Sequence, residues 1–274
     1  VTDEEDNVYS CGYNGYGQCG IGSIGGNVTT FTLIQGTSTA KADLIYGWGG
    51  DDTYATGGAL ILRSGVLYGT GYNAGYSLGQ NDANNRGSFV PVTGPTVGKT
   101  VTQVTIGGAY ANAGCSVYAL CSDGTMVNWG RDDQGQLGRG ATATARTPGA
   151  PLAATDGNTT YTKIIASGGT PNGSTQCVAA LGANGRLYVC GFGGYWNHGQ
   201  GTDASNRYQM TDVKFNQETF TDFTYVGGNA NFGMLAKGSS GRLFAWGYDY
   251  QYRLGQSYNV NGYVGNPTIT KISL

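Results

Sequence analysis

Chemistry in this 274-residue chain would have to start from few groups: one histidine, six cysteines and two adjacent aspartate pairs. His198 immediately precedes a glycine, at a place held by Leu78, Leu137 and Leu254 in three related segments, which makes it a packed residue rather than a general base. Asp51–Asp52 and Asp132–Asp133 have no third oxygen ligand at a defined spacing, so a calcium site is not expected. Cys11, Cys19, Cys115, Cys121, Cys177 and Cys190 include no C-x-x-C pair of the kind that binds zinc, and they are too few to staple so long a chain. Cys177 and Cys190 flank a turn centred between Ala183 and Asn184 at equal distances, leaving two readings open: a cross-strand disulfide or two free buried thiols. Cys115 and Cys121, on one strand, are too far apart to bond each other. Glycine-rich stretches such as "GGAYANAG" do not open helices and so are not phosphate cradles. The expectation is a protein with no catalytic residue, metal or cofactor.

Composition narrows the partners. Charged residues are 12% of the chain, about half the usual share, and the net charge is −2 with no basic run. That argues against electrostatic binding to nucleic acid or to an anionic membrane. No segment approaches the roughly 18 consecutive apolar residues of a spanning helix. The acidic start, "VTDEEDNVYS", has no apolar stretch that would mark a signal peptide.

The elements that must position any site are set by a repeat. Gly12, Gly71, Gly130, Gly191 and Gly247 each stand eight residues before Gly20, Gly79, Gly138, Gly199 and Gly255. The enclosed segments are GYNGYGQCG, GYNAGYSLG, GRDDQGQLG, GFGGYWNHG and GYDYQYRLG, spaced 59, 59, 61 and 56 residues apart. Asn14, Asn73, Asp132 and Asp249 hold the third position, where short polar side chains bond local backbone. Upstream of four of the loops, a turn glycine (Gly65, Gly124, Gly185, Gly241) separates two apolar strands, preceded by a third strand that runs into Gly-Gly. Each unit is therefore a set of three or four short strands with no helical periodicity. A unit of this size, all-β and repeated, implies a radial array of sheets. Glycine in such a unit costs about 0.5–1 kcal/mol relative to alanine, so the pattern persists only where a Cβ cannot fit or φ must be positive.

Strand, Gly-Gly, strand, D/N-G turn, "LY.WG" and "G.N..GQLG" with a downstream Arg and Pro resemble the regulator of chromosome condensation repeat. Residues 130–138 fit best, and Arg86, Arg146 and Arg207 stand where that repeat often carries arginine. The resemblance covers essentially the whole chain and implies an all-β fold, a β-propeller of mostly four-stranded blades, seven in the best-known members. The chain departs from the pattern at its ends. "VTDEEDNVYSCG" and "TKISL" match interior stretches of a unit, the latter resembling "TKIIA" at 162–166. Residues 1–274 are thus expected to form a single propeller domain that begins and ends in mid-repeat, either with a trimmed fifth blade or as a segment of a longer protein or larger assembly.

The distinctive surplus is aromatic: Tyr13, Tyr16, Tyr72, Tyr76, Tyr195, Trp196, Tyr248, Tyr250 and Tyr252 all lie in the repeated loops. They either wedge between neighbouring blades or form a collar of amphipathic rings among Gly, Asn and Ser, the composition of an adaptable recognition surface. On the second reading the expected function is non-catalytic recognition on an extracellular or virion-borne scaffold of the tail-fibre or adhesin type, with a cell-surface glycan or protein as partner. Two alternatives stay open. The resemblance implies an intracellular guanine-nucleotide-exchange or signalling scaffold, and a β-lactamase inhibitor of similar fold suggests an enzyme inhibitor.

Overall fold

The computed structural model describes residues 1–36, 41–49, 56–110, 114–167, 176–194, 196–213, 215, 218–228, 231–248, 254 and 265–271. Strands β1 (Tyr9–Tyr13) and β2 (Asn27–Leu33) pair as a two-stranded antiparallel sheet. Four four-stranded meanders follow. Blade one is β3 (Leu44–Gly49), β4 (Gly57–Arg63), β5 (Val66–Gly71) and β6 (Arg86–Pro91). Blade two is β7 (Val101–Tyr110), β8 (Gly114–Cys121), β9 (Met126–Asp132) and β10 (Ala143–Gly149). Blade three is β11 (Tyr161–Ala166), β12 (Cys177–Gly182), β13 (Leu187–Gly191) and β14 (Arg207–Asp212). Blade four is β15 (Phe220–Gly228), β16 (Asn231–Gly238), β17 (Leu243–Tyr248) and β18 (Gly265–Lys271).

The second strands β8 and β12 are buried along their whole length, because each lies between two neighbouring sheets. That is why "SVYALC" and "CVAAL" are continuous apolar runs rather than alternating ones. The cores accordingly sit between blades. Leu60 and Leu62 of blade one pack with Val104 and Trp129 of blade two. Tyr118 and Leu120 pack with Ile164 and Cys190, and Ala179 and Leu181 with Phe223 and Trp246. The two-stranded sheet rests on blade one through Val8, Ile34, Ile61 and Phe89. This is the β-propeller expected from the repeat.

One open reading is decided and one expectation needs correction. Of the two readings for Cys177 and Cys190, the structure has the two free buried thiols. The β12–β13 register pairs Cys177 with Gly191 and Val178 with Cys190, so the hairpin is centred on Asn184 and the two cysteines point to opposite faces. Nor does the C-terminal "TKISL" repeat the role of "TKIIA". Thr270 and Lys271 lie in β18, the outermost strand of blade four, opposite Ala245 and Phe244. A short β-branched match cannot tell a first strand from a fourth.

Candidate functional site

Each repeated loop begins at a bulge. At Gly71, Gly130, Gly191 and Gly247 the register between third and fourth strands slips, and the same happens at Gly12 between β1 and β2. A Cβ on Gly130 would stand 2.0 Å from the Cys115 carbonyl oxygen, and its φ is +90°, so both sterics and backbone conformation demand glycine. All nine described signature glycines have positive φ. Gly255 lies outside the described residues.

Inside the loop the third residue fastens the eighth. The side-chain oxygens of Asn14, Asn73 and Asp132 accept the backbone N–H of Cys19, Leu78 and Leu137 at 3.0, 2.9 and 2.9 Å. Two successive turns complete each of the first four loops, for example Tyr76 N–H to Asn73 O at 2.9 Å and Gly79 N–H to Tyr76 O at 2.9 Å. The eighth residue is then driven into the core: Leu78, Leu137, His198 and Leu254 are all buried.

In three of the loops the seventh residue ties the loop to the next blade. The indole N–H of Trp129 donates to the carbonyl of Ser77 at 3.0 Å, and that of Trp246 to the carbonyl of Asn197 at 3.0 Å. In blade three the Cys190 thiol takes the tryptophan's place and reaches the Gln136 carbonyl at 3.0 Å. The closing glycine makes room for these groups: a Cβ on Gly79 would meet Trp129 at 3.0 Å, and one on Gly138 the Cys190 sulfur at 3.3 Å. A buried polar knot adds to the clamp between blades two and three. Gln136 Nε2 and Ser116 Oγ both donate to Gln176 Oε1, at 2.9 and 2.6 Å, and Gln176 Nε2 donates to Gly108 O at 3.0 Å.

The aromatic residues divide. Tyr13, Tyr16 and Tyr72 meet across the boundary between the two-stranded sheet and blade one. Their rings stand edge to face at centroid distances of 6.4 Å (Tyr13–Tyr16) and 5.1 Å (Tyr16–Tyr72), and Tyr13 is 48% exposed. Tyr76 and Trp196, half-buried, sit at the sixth loop position with φ of +58° and +56°. Gly17 and Gly135 hold that position elsewhere, also with positive φ. An aromatic residue in this left-handed region costs of order 1 kcal/mol or more. Tyr248 is buried, not a contact residue as expected, because its strand is covered up to the loop. At the same position blade two carries Arg131, also buried. Tyr195, Tyr250 and Tyr252 lie outside the described residues, as do Asp51 and Asp52.

The reactive side chains are sequestered. Burial raises the thiols of Cys115 and Cys177 to about 12, and Cys11 alone among the six cysteines is exposed. His198 is fully enclosed. Burial, reinforced by Arg207, lowers its pKa to about 3 against weaker pulls from the Ser205 backbone and Asp203, and neither ring nitrogen has a well-formed hydrogen bond. Asp132 is buried beside Arg146, and the loss of hydration still raises its pKa despite the N–H of Leu137 and that guanidinium. Among the described residues no cluster of three His, Cys, Asp or Glu could hold a metal ion.

No family model matches the chain. The mitochondrial RCC1 domain-containing protein RUG3 of Arabidopsis thaliana is 30% identical over 132 residues, covering 48% of this chain and 26% of its own length. The human E3 ubiquitin-protein ligase HERC2 is 31% identical over 134 residues, 48% of this chain and 2% of the ligase. Among solved structures, human WBSCR16 superposes with a TM-score of 0.70 at 19% identity, covering 99% of this chain and 63% of that one. Yeast RCC1 (Prp20), solved bound to Kap60, gives a TM-score of 0.64 at 16% identity, covering 99% and 60%. At such identities the two structures show the fold alone, and the chain spans about a quarter or less of the length of the two curated relatives.

Proposed function

Because the chain is a β-propeller of RCC1-like repeats, we propose that it works as a non-catalytic, intracellular protein-interaction scaffold that recognises its partner through the rim of the repeated loops. The observation that carries this reading is the cluster of exposed Tyr13 with half-buried Tyr16 and Tyr72, which meet edge to face across two units. Rigid rings with one polar end and small polar neighbours suit protein recognition. The naming of one relative as mitochondrial and another as a ubiquitin ligase supports an intracellular setting over the extracellular, virion-borne and glycan-binding expectation. Six cysteines without a disulfide suit a reducing compartment.

The test is site-directed photo-crosslinking in cells. A crosslinking residue replaces Tyr72 at the loop end of blade one or, as a control, exposed Leu243 at the opposite end of blade four. The scaffold reading expects discrete protein adducts from position 72 that disappear when Tyr13 and Tyr16 are changed to alanine. Adducts from position 243 alone would refute it. Release of labelled GDP from a panel of small GTPases then separates an exchange factor from a passive scaffold.

A further inference from the structure

The connection from blade one to blade two leaves a space that its counterpart from blade three to blade four fills. Val92 and Val213 stand at the same register, since their N–H groups donate to Leu67 O and Leu187 O, each at 2.8 Å. Two residues further on, Phe215 packs against a buried cluster that includes Leu181, Leu187, Val213 and Phe220. Its ring meets that of Phe244 at a centroid distance of 4.8 Å. The matching cluster between blades one and two is Leu62, Leu67, Val92 and Val101. There Gly94 stands in place of Phe215, and Val101 in place of Phe220, so two rings are missing. Gly94 opens a single 3-10 turn (Gly94–Thr96). One residue fewer separates the paired Leu62 and Leu67 than the paired Leu181 and Leu187, so the hairpin beside this turn is also shorter.

The result is a cavity of about 470 Å³, a size typical of ligand sites, at the end of the sheets opposite the repeated loops. All its lining residues lie in 64–67 and 91–100, inside the run of four-stranded blades. Leu67 and Val92 are buried at its base, and Val66 and Val97 at its mouth are 44% and 72% exposed. Ser64, Thr96 and Thr100 bring hydroxyls. The one charged lining residue, Lys99, is paired with Asp123 at 2.7 Å, so the cavity does not call for a charged ligand.

We infer that this cavity is a binding site for a phenylalanine side chain carried on a segment of a partner protein. Phe215 shows that a ring suits the equivalent cluster, and the hydroxyls suit the amide groups on either side of such a residue. Among the described residues the one exposed phenylalanine, Phe31, is fixed in β2, which makes a second copy of this chain a poor donor. The site lies away from the tyrosine rim and stands or falls independently of it.

The test uses the intact chain with labelled valine methyl groups and the peptide acetyl-Ala-Ala-Phe-Ala-Ala-amide. The peptide is expected to shift the Val66, Val92 and Val97 methyl signals saturably, with a Kd on the order of 1 mM. The signals of Val178 and Val189, buried in blade three, should stay in place. The same peptide with alanine at its centre should shift none of them. Val66→Asp and Val97→Asp, at the exposed mouth, should each weaken binding about tenfold while the other methyl signals report an intact fold. Absence of a saturable shift, equal shifts from the alanine peptide, or unchanged affinity in either variant would overturn the inference. So would benzyl alcohol binding as tightly as the peptide, which would make this a site for free aromatic molecules. Shifts that appear on raising the chain concentration alone would overturn it in favour of a second copy.

Discussion

Replacing His198 by leucine is expected to stabilise this protein, a direction opposite to that of most core substitutions. The histidine fills the eighth loop position, where Leu78, Leu137 and Leu254 are equally buried. A neutral imidazole carries one donor and one acceptor, and neither ring nitrogen of His198 has a well-formed hydrogen bond. Leaving such groups unsatisfied costs about 1–3 kcal/mol, so His198→Leu should gain an amount in that range at pH 7. The pH dependence is sharper still. The ring titrates near 6.5 in the unfolded chain and at about 3 in the fold. Above pH 6.5 both states are neutral and this group contributes no slope. As pH falls below 6.5 the unfolded chain takes up a proton that the fold refuses, so stability drops by about 1.4 kcal/mol per pH unit until pH nears 3. At pH 4.5 the accumulated loss is about 2.7 kcal/mol. Carboxylates titrate in both proteins, so the difference between wild type and variant isolates the histidine. Urea unfolding at pH 7 and pH 4.5, with unchanged m-values, measures it. A destabilised variant at pH 7, or two proteins losing stability in parallel down to pH 4.5, would refute the reasoning.

The same geometry sets further outcomes. Gly130→Ala, whose Cβ would collide with the Cys115 carbonyl oxygen at φ +90°, should cost about 2–4 kcal/mol in thermal or urea unfolding. Gly47→Ala, whose Cβ would meet its nearest neighbour at 4.0 Å, should change stability by no more than about 0.5 kcal/mol; similar costs for the two would sink the steric account. Thiol titration of the native protein under non-reducing conditions should show one fast group, Cys11, and six only after denaturation. A count of four in denaturant would point to a disulfide instead.

Much of the architecture was legible because the repeat is punctuated by glycines whose positions are sterically forced. Gly71 and Gly191 end third strands, Gly65 and Gly124 turn the hairpins, and the apolar runs between them could only be buried strands. What the residues could not fix was a register of one. A turn centred on Asn184, rather than between Ala183 and Asn184, moves Cys190 to the other face of its sheet and removes the disulfide geometry. The aromatic rings were ambiguous for a related reason. Tyr72 and Tyr248 hold the same loop position, yet one is half-exposed and the other buried, because exposure depends on what covers each strand end. Two signals were present in the aligned loops. Tyr76 and Trp196 stand where Gly17 and Gly135 do, which marks a left-handed backbone. Trp129 and Trp246 share a column with Cys190, and that column is the interblade clamp. The Gln136–Ser116–Gln176 knot had no such signature, since its three members come from separate strands and loops.

The account rests on loops that lock each blade to the next, and the indole protons of Trp129 and Trp246 report that lock directly. Proton exchange followed by NMR should find both N–H groups protected to the same degree as the backbone amides of β9 and β17, as expected for donors buried against Ser77 and Asn197 of the preceding blade. Indole protons that exchange at the rate of free tryptophan, while the strand amides stay protected, would contradict it.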